Sequence, residues 1–344
     1  MFIYVNNSKH KKGGNPLKMN QNDIKLKRTA QLVGIALLVF LILFYGANSA
    51  FALIATPIIS EIFDETLSLI IIEVTSGIIY AASFILPALL FAHLNRNEKA
   101  EDSVHDAPRF PAKLAPFIIM ATVAIAISCA YVNSWLGTVF GIADGLESTT
   151  EEITPLTFVL LTFTTAIVPA ICEEFLFRKT LIPALSPYGQ GFAIFSSALF
   201  FGLMHQNLLQ IFYTTMAGIL LGYVYAKTRS YLCVFLIHFA NNFVSILQTT
   251  FASNLDETSG YIAVITLTAT VLVLGAISIF ILVLKEKNKK DVYATGSFEK
   301  ILEPSENVIS RSTLRAPYKT LFLSPSVLIF VILVSFTYLL QLFS

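Results

Sequence analysis

Apolar residues in this chain are gathered into long uninterrupted stretches instead of alternating with polar ones. Nine such stretches fall at roughly 31–58, 67–94, 114–141, 156–184, 192–205, 208–226, 231–251, 261–284 and 321–343. An apolar run of about 18 residues or more can cross the hydrocarbon of a bilayer as a helix. The strict alternation of a membrane barrel is absent, so helices are the expected element. The fold class predicted is all-α, a polytopic transmembrane bundle of about 8–9 spans. The run 192–226 is awkward, being too long for one helix across about 30 Å of hydrocarbon and short for two. A tight hairpin around Gln206, Asn207 and Gln210 is the simplest solution. The first stretch has a basic prelude but is long and has no obvious small-residue cleavage site, so it reads as a retained anchor.

Charge then orients the bundle. With the N-terminus cytoplasmic, the inner side holds seven Lys and Arg in 1–28, four in 95–113, Arg178 and Lys179, Lys227 and Arg229, and eight in 285–320, which accounts for all 23. The outer connections carry acids only: Glu61, Asp64 and Glu65; Asp144, Glu147, Glu151 and Glu152; Asp256 and Glu257. This is the positive-inside pattern, and it fits a cell membrane protein of a bacterium. Hydrophobic residues make up 55% of the chain and charged ones 13%, which excludes a soluble domain, and the net charge of +1 offers no basis for nucleic acid binding. Cys129, Cys172 and Cys233 lie inside predicted spans, so no disulfide framework is expected. The organisation expected is a basic tail (1–28), N-terminal spans (29–154), a helical core (155–250), a further span (251–284), a cytoplasmic linker (285–320) and a C-terminal span (321–343) that reads as an accessory addition.

Three polar clusters interrupt the core: Glu173-Glu174-x-x-x-Arg178, Phe201-x-x-x-His205 and His238-x-x-x-Asn242, about 32 residues apart. Ionisable groups inside a membrane helix cost a few kcal/mol each and mark functional sites by default. Positions four apart share a helix face, so Arg178 is placed to neutralise Glu174, which leaves Glu173 facing elsewhere as a candidate base. The bland alternative is a snorkelling cluster at the inner interface, since Lys179 follows directly. Phe201 can pack beneath His205 and orient it. His238 and Asn242 present two N–H donors to one spot, as an oxyanion requires, although interhelical hydrogen bonding explains such a pair equally simply. Asn241, three residues from His238, is open by geometry. Glu73 is solitary and reads as structural or gating, and scattered Tyr, Thr and Ser read as packing residues. Pro169, Gly202, Gly218 and Gly222 permit kinks or close helix contacts near the clusters.

The ordered set Glu173-Glu174-Phe175-Leu176-Phe177-Arg178, Phe201-Gly202-Leu203-Met204-His205 and His238-Phe239-Ala240-Asn241-Asn242 resembles the CPBP family, the CAAX proteases and bacteriocin-processing enzymes also called Abi. The flanking Ser196 to Gly202 and Gly218 to Gly222 are similar too, and the resemblance covers about 155–250. It implies an intramembrane glutamate-dependent endopeptidase in which Glu173 and His205 activate water, His238 and Asn242 hold the oxyanion, and Glu174, Arg178 and Phe201 support them. It implies no cofactor. The partners implied are the bilayer and a membrane-associated protein or peptide substrate, a prenylated tail among the candidates.

Rival readings remain open at this level. Glu173, His205 and His238 could supply three zinc ligands, although no HExxH pair is present. Cys172 could be a nucleophile, although no His stands at a local spacing to activate it. Non-enzymatic readings are an immunity protein against bacteriocins or a transporter, the latter without any visible inverted repeat. Depth is a tension. Counted from Arg178, Gly191 and Ser230 as inner boundaries at about 1.5 Å per residue, Glu173 lies roughly 8 Å deep, His238 about 12 Å and His205 about 21 Å.

Overall fold

The computed structural model describes residues 21–96, 112–139, 152–207, 210–287 and 315–343. The expected basic tail before residue 21 and most of the expected linker lie outside them. Ten helices lie among the described residues: α1 (Gln21–Ile62), α2 (Glu65–Asn95), α3 (Ala112–Val139), α4 (Pro155–Tyr188), α5 (Gln190–Met204), α6 (Ile211–Thr228), α7 (Tyr231–Asn254), α8 (Glu257–Lys287), α9 (Arg315–Phe322) and α10 (Pro325–Phe343). Four of the predicted stretches, 31–58, 67–94, 156–184 and 231–251, fall wholly within one helix, as does 261–284, whereas 321–343 is broken at Leu323 and Ser324 between α9 and α10. Among the described residues six helices are long and apolar enough to cross a membrane, or seven if α9 and α10, bent by 66°, count as one span.

Local chemistry sets the helix ends. Asp64 accepts the Leu67 N–H at 3.0 Å to start α2, and Thr154 accepts that of Thr157 at 3.1 Å to start α4, with Pro155 at the first helical position. Ser230 does the same for Cys233 at 3.1 Å in α7. These caps satisfy backbone donors that the helix leaves without partners. Gly189, at φ 129°, breaks the chain between α4 and α5, a conformation from which a Cβ would be excluded.

Two apolar cores form. The larger joins α1, α2, α4 and α5 with residues of α9 and α10, including Phe40, Phe84, Phe177, Phe200 and Phe330; the smaller joins α3, α6, α7 and α8 around Val123, Leu221, Val234 and Val271. α5 and α6 close the gap between them as a tight pair, because small residues face each other. A Cβ on Gly218 would stand 2.9 Å from the Ala198 Cα, and one on Gly202 would collide with Thr215. The expected hairpin is present: α5 stops at Met204, Gln206 takes φ 49°, and α6 begins at Ile211. The C-terminal span α10 packs on α1, where Ser326 donates to the Gln31 carbonyl at 2.9 Å and a Cβ on Gly34 would run into Val327.

The depth tension dissolves with α4. Arg178 is not an interface marker: it is 1% exposed, and the helix runs on past it through Pro183 to Tyr188. Glu173 and His205 then stand sixteen residues before and after Gly189, each about 24 Å along antiparallel neighbours, and so at one level. α5 is short because it ends where the clusters meet.

Candidate active site

α4 is not a uniform α-helix. Two π-helical segments, Thr162–Ile167 and Phe175–Leu181, flank the turn that carries Glu173 and Glu174. Such segments re-aim side chains and are common at functional sites. Pro169 has no N–H to give the Thr165 carbonyl in the ordinary i to i−4 pattern, and the Asn242 side chain of α7 donates to that carbonyl at 3.0 Å. A backbone irregularity in one helix thereby fixes a polar side chain of another.

The two glutamates separate as their spacing predicts. Glu174 accepts from Arg178 at 3.0 Å, and both are buried. Arg178 also donates to the Gly218 carbonyl at 3.3 Å and lies 4.5 Å over the Phe201 ring, so its charge is held by α4, α5 and α6 together and not by the interface. The snorkelling alternative is thereby replaced by a buried ion pair. The same Glu174 oxygen accepts from His238 Nδ1 at 2.8 Å, which directs Nε2 of that ring toward Glu173 Oε2, 3.9 Å away. Glu173 Oε1 accepts from the Tyr80 hydroxyl of α2. Its other oxygen, Oε2, is buried and has no hydrogen-bond partner among the described residues.

His205 Nδ1 lies 2.8 Å from the Phe201 carbonyl. A carbonyl can only accept, so Nδ1 carries the proton and Nε2 of the neutral ring has its lone pair free. The Phe201 ring centroid is 4.9 Å from that of His205, 5.9 Å from His238 and 5.2 Å from Phe177, which makes Phe201 the common packing surface for both imidazoles and the guanidinium.

Two cavities meet at this cluster. One, of about 250 Å³, is walled by α1, α2, α4 and α5, with Phe44, Tyr80, Glu173, Phe201 and His205 on its lining. The other, of about 40 Å³, is walled by α3, α5, α6 and α7, with His205, Tyr213, His238, Asn241 and Asn242. Phe201 and His205 border both. A polar space above about 10–15 Å³ holds a water molecule, so even the smaller one has room for a few.

All four catalytic candidates, Glu173, His205, His238 and Asn242, are therefore brought to one place, with Glu174, Arg178 and Phe201 behind them. Asn241 donates to the Tyr213 hydroxyl at 2.6 Å and to Asn242 Oδ1 at 3.2 Å, beside the pair and bracing it. Cys172 is fully buried, its thiol donating to the Val168 carbonyl at 2.8 Å. Glu73 accepts from Thr164 at 3.2 Å, away from the cluster. Among the described residues no group of three His, Cys, Asp or Glu side chains is spaced to hold a metal ion. Tyr80 is the contact that sequence reasoning missed. Its partner lies 93 residues away, and no local spacing distinguishes it from the packing tyrosines.

Residues 155–244 match the model of the family described as type II CAAX prenyl endopeptidase Rce1-like. Over 135 residues the chain is 32% identical to the "Putative membrane peptidase YdiL" of Bacillus subtilis (strain 168), a match covering 38% of this chain and 53% of that protein. The chain thus spans about half the length of this curated relative. No solved structure matches.

Proposed function

We propose, from the match of residues 155–244 to the Rce1-like family model and the likeness to a putative membrane peptidase, that this chain is an intramembrane endopeptidase that hydrolyses a peptide bond of a membrane-associated protein or peptide. The observation that carries the reading is the buried Glu173 Oε2, without a hydrogen-bond partner among the described residues, on a cavity that it shares with His205. A buried carboxylate oxygen with an open lone pair is a base waiting for a proton, and the free Nε2 of His205 supplies a second acceptor to orient the same water.

In this reading water attacks the scissile carbonyl carbon as Glu173 Oε2 takes one of its protons. The new C–O bond turns the carbonyl oxygen into an oxyanion. His238 Nε2 and the second N–H of Asn242 meet that oxygen, with His238 doubly protonated because Nδ1 already donates to Glu174. Glu173, Glu174, Arg178 and His238 then sum to zero charge before attack. The negative charge lost when Glu173 is protonated reappears on the oxyanion beside them, so the buried cluster never holds an uncompensated charge. The C–N bond breaks as Glu173 returns the proton to the leaving nitrogen. The products are a carboxylic acid and an amine, and the acid's proton then passes to the amine to leave a carboxylate and an ammonium.

No metal enters these steps. The N-terminus is placed on the cytoplasmic side of a bacterial cell membrane, and prenylated tails are one candidate substrate among membrane-anchored peptides. The experiment is a comparison of the peptides released from membranes by wild type and by Glu173→Gln, with a strong chelator as a third arm. Release that needs Glu173 and survives chelation supports the proposal. Release that persists in Glu173→Gln overturns it, and release abolished by chelator and restored by zinc moves the chemistry to a metal.

A further inference from the structure

We infer that Tyr80 is a positioning residue for the reaction, selecting which oxygen of Glu173 exchanges protons with water and leaving group. The inference rests on the peptidase reading above, and it concerns a helix outside the matched segment: Tyr80 belongs to α2, whereas the match spans 155–244. The terminal torsion of a glutamate is broad and roughly two-fold, so a carboxylate without distinct partners presents either oxygen to a reacting water. Here the two oxygens are unlike. Oε1 accepts the Tyr80 hydroxyl, and Oε2, 3.9 Å from His238 Nε2, has no hydrogen-bond partner among the described residues.

The phenol is itself held. Phe84, one helical turn along α2, lies 5.0 Å from the Tyr80 ring, and Phe44 of α1 meets it edge-on at 5.9 Å. Phe84 is in turn packed on Phe40 at 4.6 Å and Phe177 at 6.5 Å. These rings leave the hydroxyl little freedom to turn from Glu173. The bond also suits both stages of the cycle: when Glu173 is ionised the hydroxyl donates to a carboxylate oxygen, and when Oε2 carries the proton it donates to the remaining carbonyl oxygen. The proton is thus kept on the oxygen that faces the substrate. No proton leaves Tyr80 at any step.

The test is steady-state kinetics on the full chain in detergent or proteoliposomes with whichever membrane peptide wild type cleaves. Tyr80→Phe keeps the ring and removes the donor, so either oxygen of Glu173 can take the proton, and kcat should fall about 10- to 100-fold, in the range that misplacing a catalytic group costs, with KM unchanged. Phe91→Leu, which disturbs the same core three turns along α2 from Tyr80 and touches neither cavity, should stay within a few-fold of wild-type kcat. If Tyr80→Phe does not accumulate, fluorinated tyrosines at position 80 keep the shape and vary the donor, and kcat should follow the number of fluorines. Wild-type kcat in Tyr80→Phe, a kcat loss equalled by Phe91→Leu, or a kcat indifferent to fluorination overturns the inference. Cleavage retained in Glu173→Gln would instead overturn the peptidase reading on which it rests, so the two failures are distinguishable.

Discussion

Glu173 and Glu174 differ by one position in the chain and by nearly everything they touch. The first has an open oxygen on a cavity; the second is enclosed by Arg178 and His238. Glu173→Gln should therefore abolish cleavage while yield and thermal midpoint stay at wild type, because the change is isosteric and removes only proton acceptance. Glu174→Gln should lower yield and midpoint as well as rate, since breaking a buried pair from one side typically costs about 3–5 kcal/mol. Identical behaviour of the two variants would refute the division. Asn242→Ala should lower kcat about 100- to 1000-fold with little change in KM, the usual consequence of removing one oxyanion donor. Asn241→Ala should be milder, because Asn241 acts on the site only by bracing Asn242. At this scale the sequence was informative where partners are four residues apart, as in Glu174 with Arg178 and Phe201 with His205. It was silent where they are distant, as in Tyr80 with Glu173 or Asn242 with the carbonyl freed by Pro169, since neither pair shares a helix.

Most of the helices were legible in the stretches of uniform apolarity, although the last stretch is broken between α9 and α10. What periodicity could not supply was the length of α4. The apolar run seemed to close at the Arg178-Lys179 pair, and that boundary put Glu173 and His205 at different depths. Burial of Arg178 against Phe201 and the Gly218 carbonyl lets the helix continue, and the apparent mismatch becomes a symmetric hairpin about Gly189. The α5–α6 pair depends on the closeness that small residues allow. In Gly218→Leu the new side chain would start 2.9 Å from the Ala198 backbone and push apart the helices that carry His205 and the acceptor of Arg178. Overpacking of this kind costs about 1–3 kcal/mol, so the thermal midpoint in detergent should drop, and activity with it. A midpoint equal to wild type would show that the pair tolerates separation.

Across the whole molecule, orientation is the property most open to a direct test. Ser259 and Lys285 are exposed near opposite ends of α8, and the 26 residue steps from one to the other span about 39 Å, close to a bilayer with its headgroups. A cysteine at 259 should react with a membrane-impermeant reagent added to intact cells, and one at 285 should react only after the cells are opened. Labelling in the reverse order would invert the bundle and put the Lys- and Arg-bearing side outward. The site itself lies on the seam between two apolar cores, with Glu173 and His205 on helices of one and His238 and Asn242 on a helix of the other. The packing of α10 on α1 bears on how that seam is assembled. Gln31 and Ser326 are 295 residues apart, so a ribosome delivers the first helix to the bilayer long before its neighbour exists. Until α10 arrives the face of α1 at Gly34 lacks the neighbour it has in the finished fold. The nascent protein thus crosses the membrane many times before its first helix acquires its final surroundings.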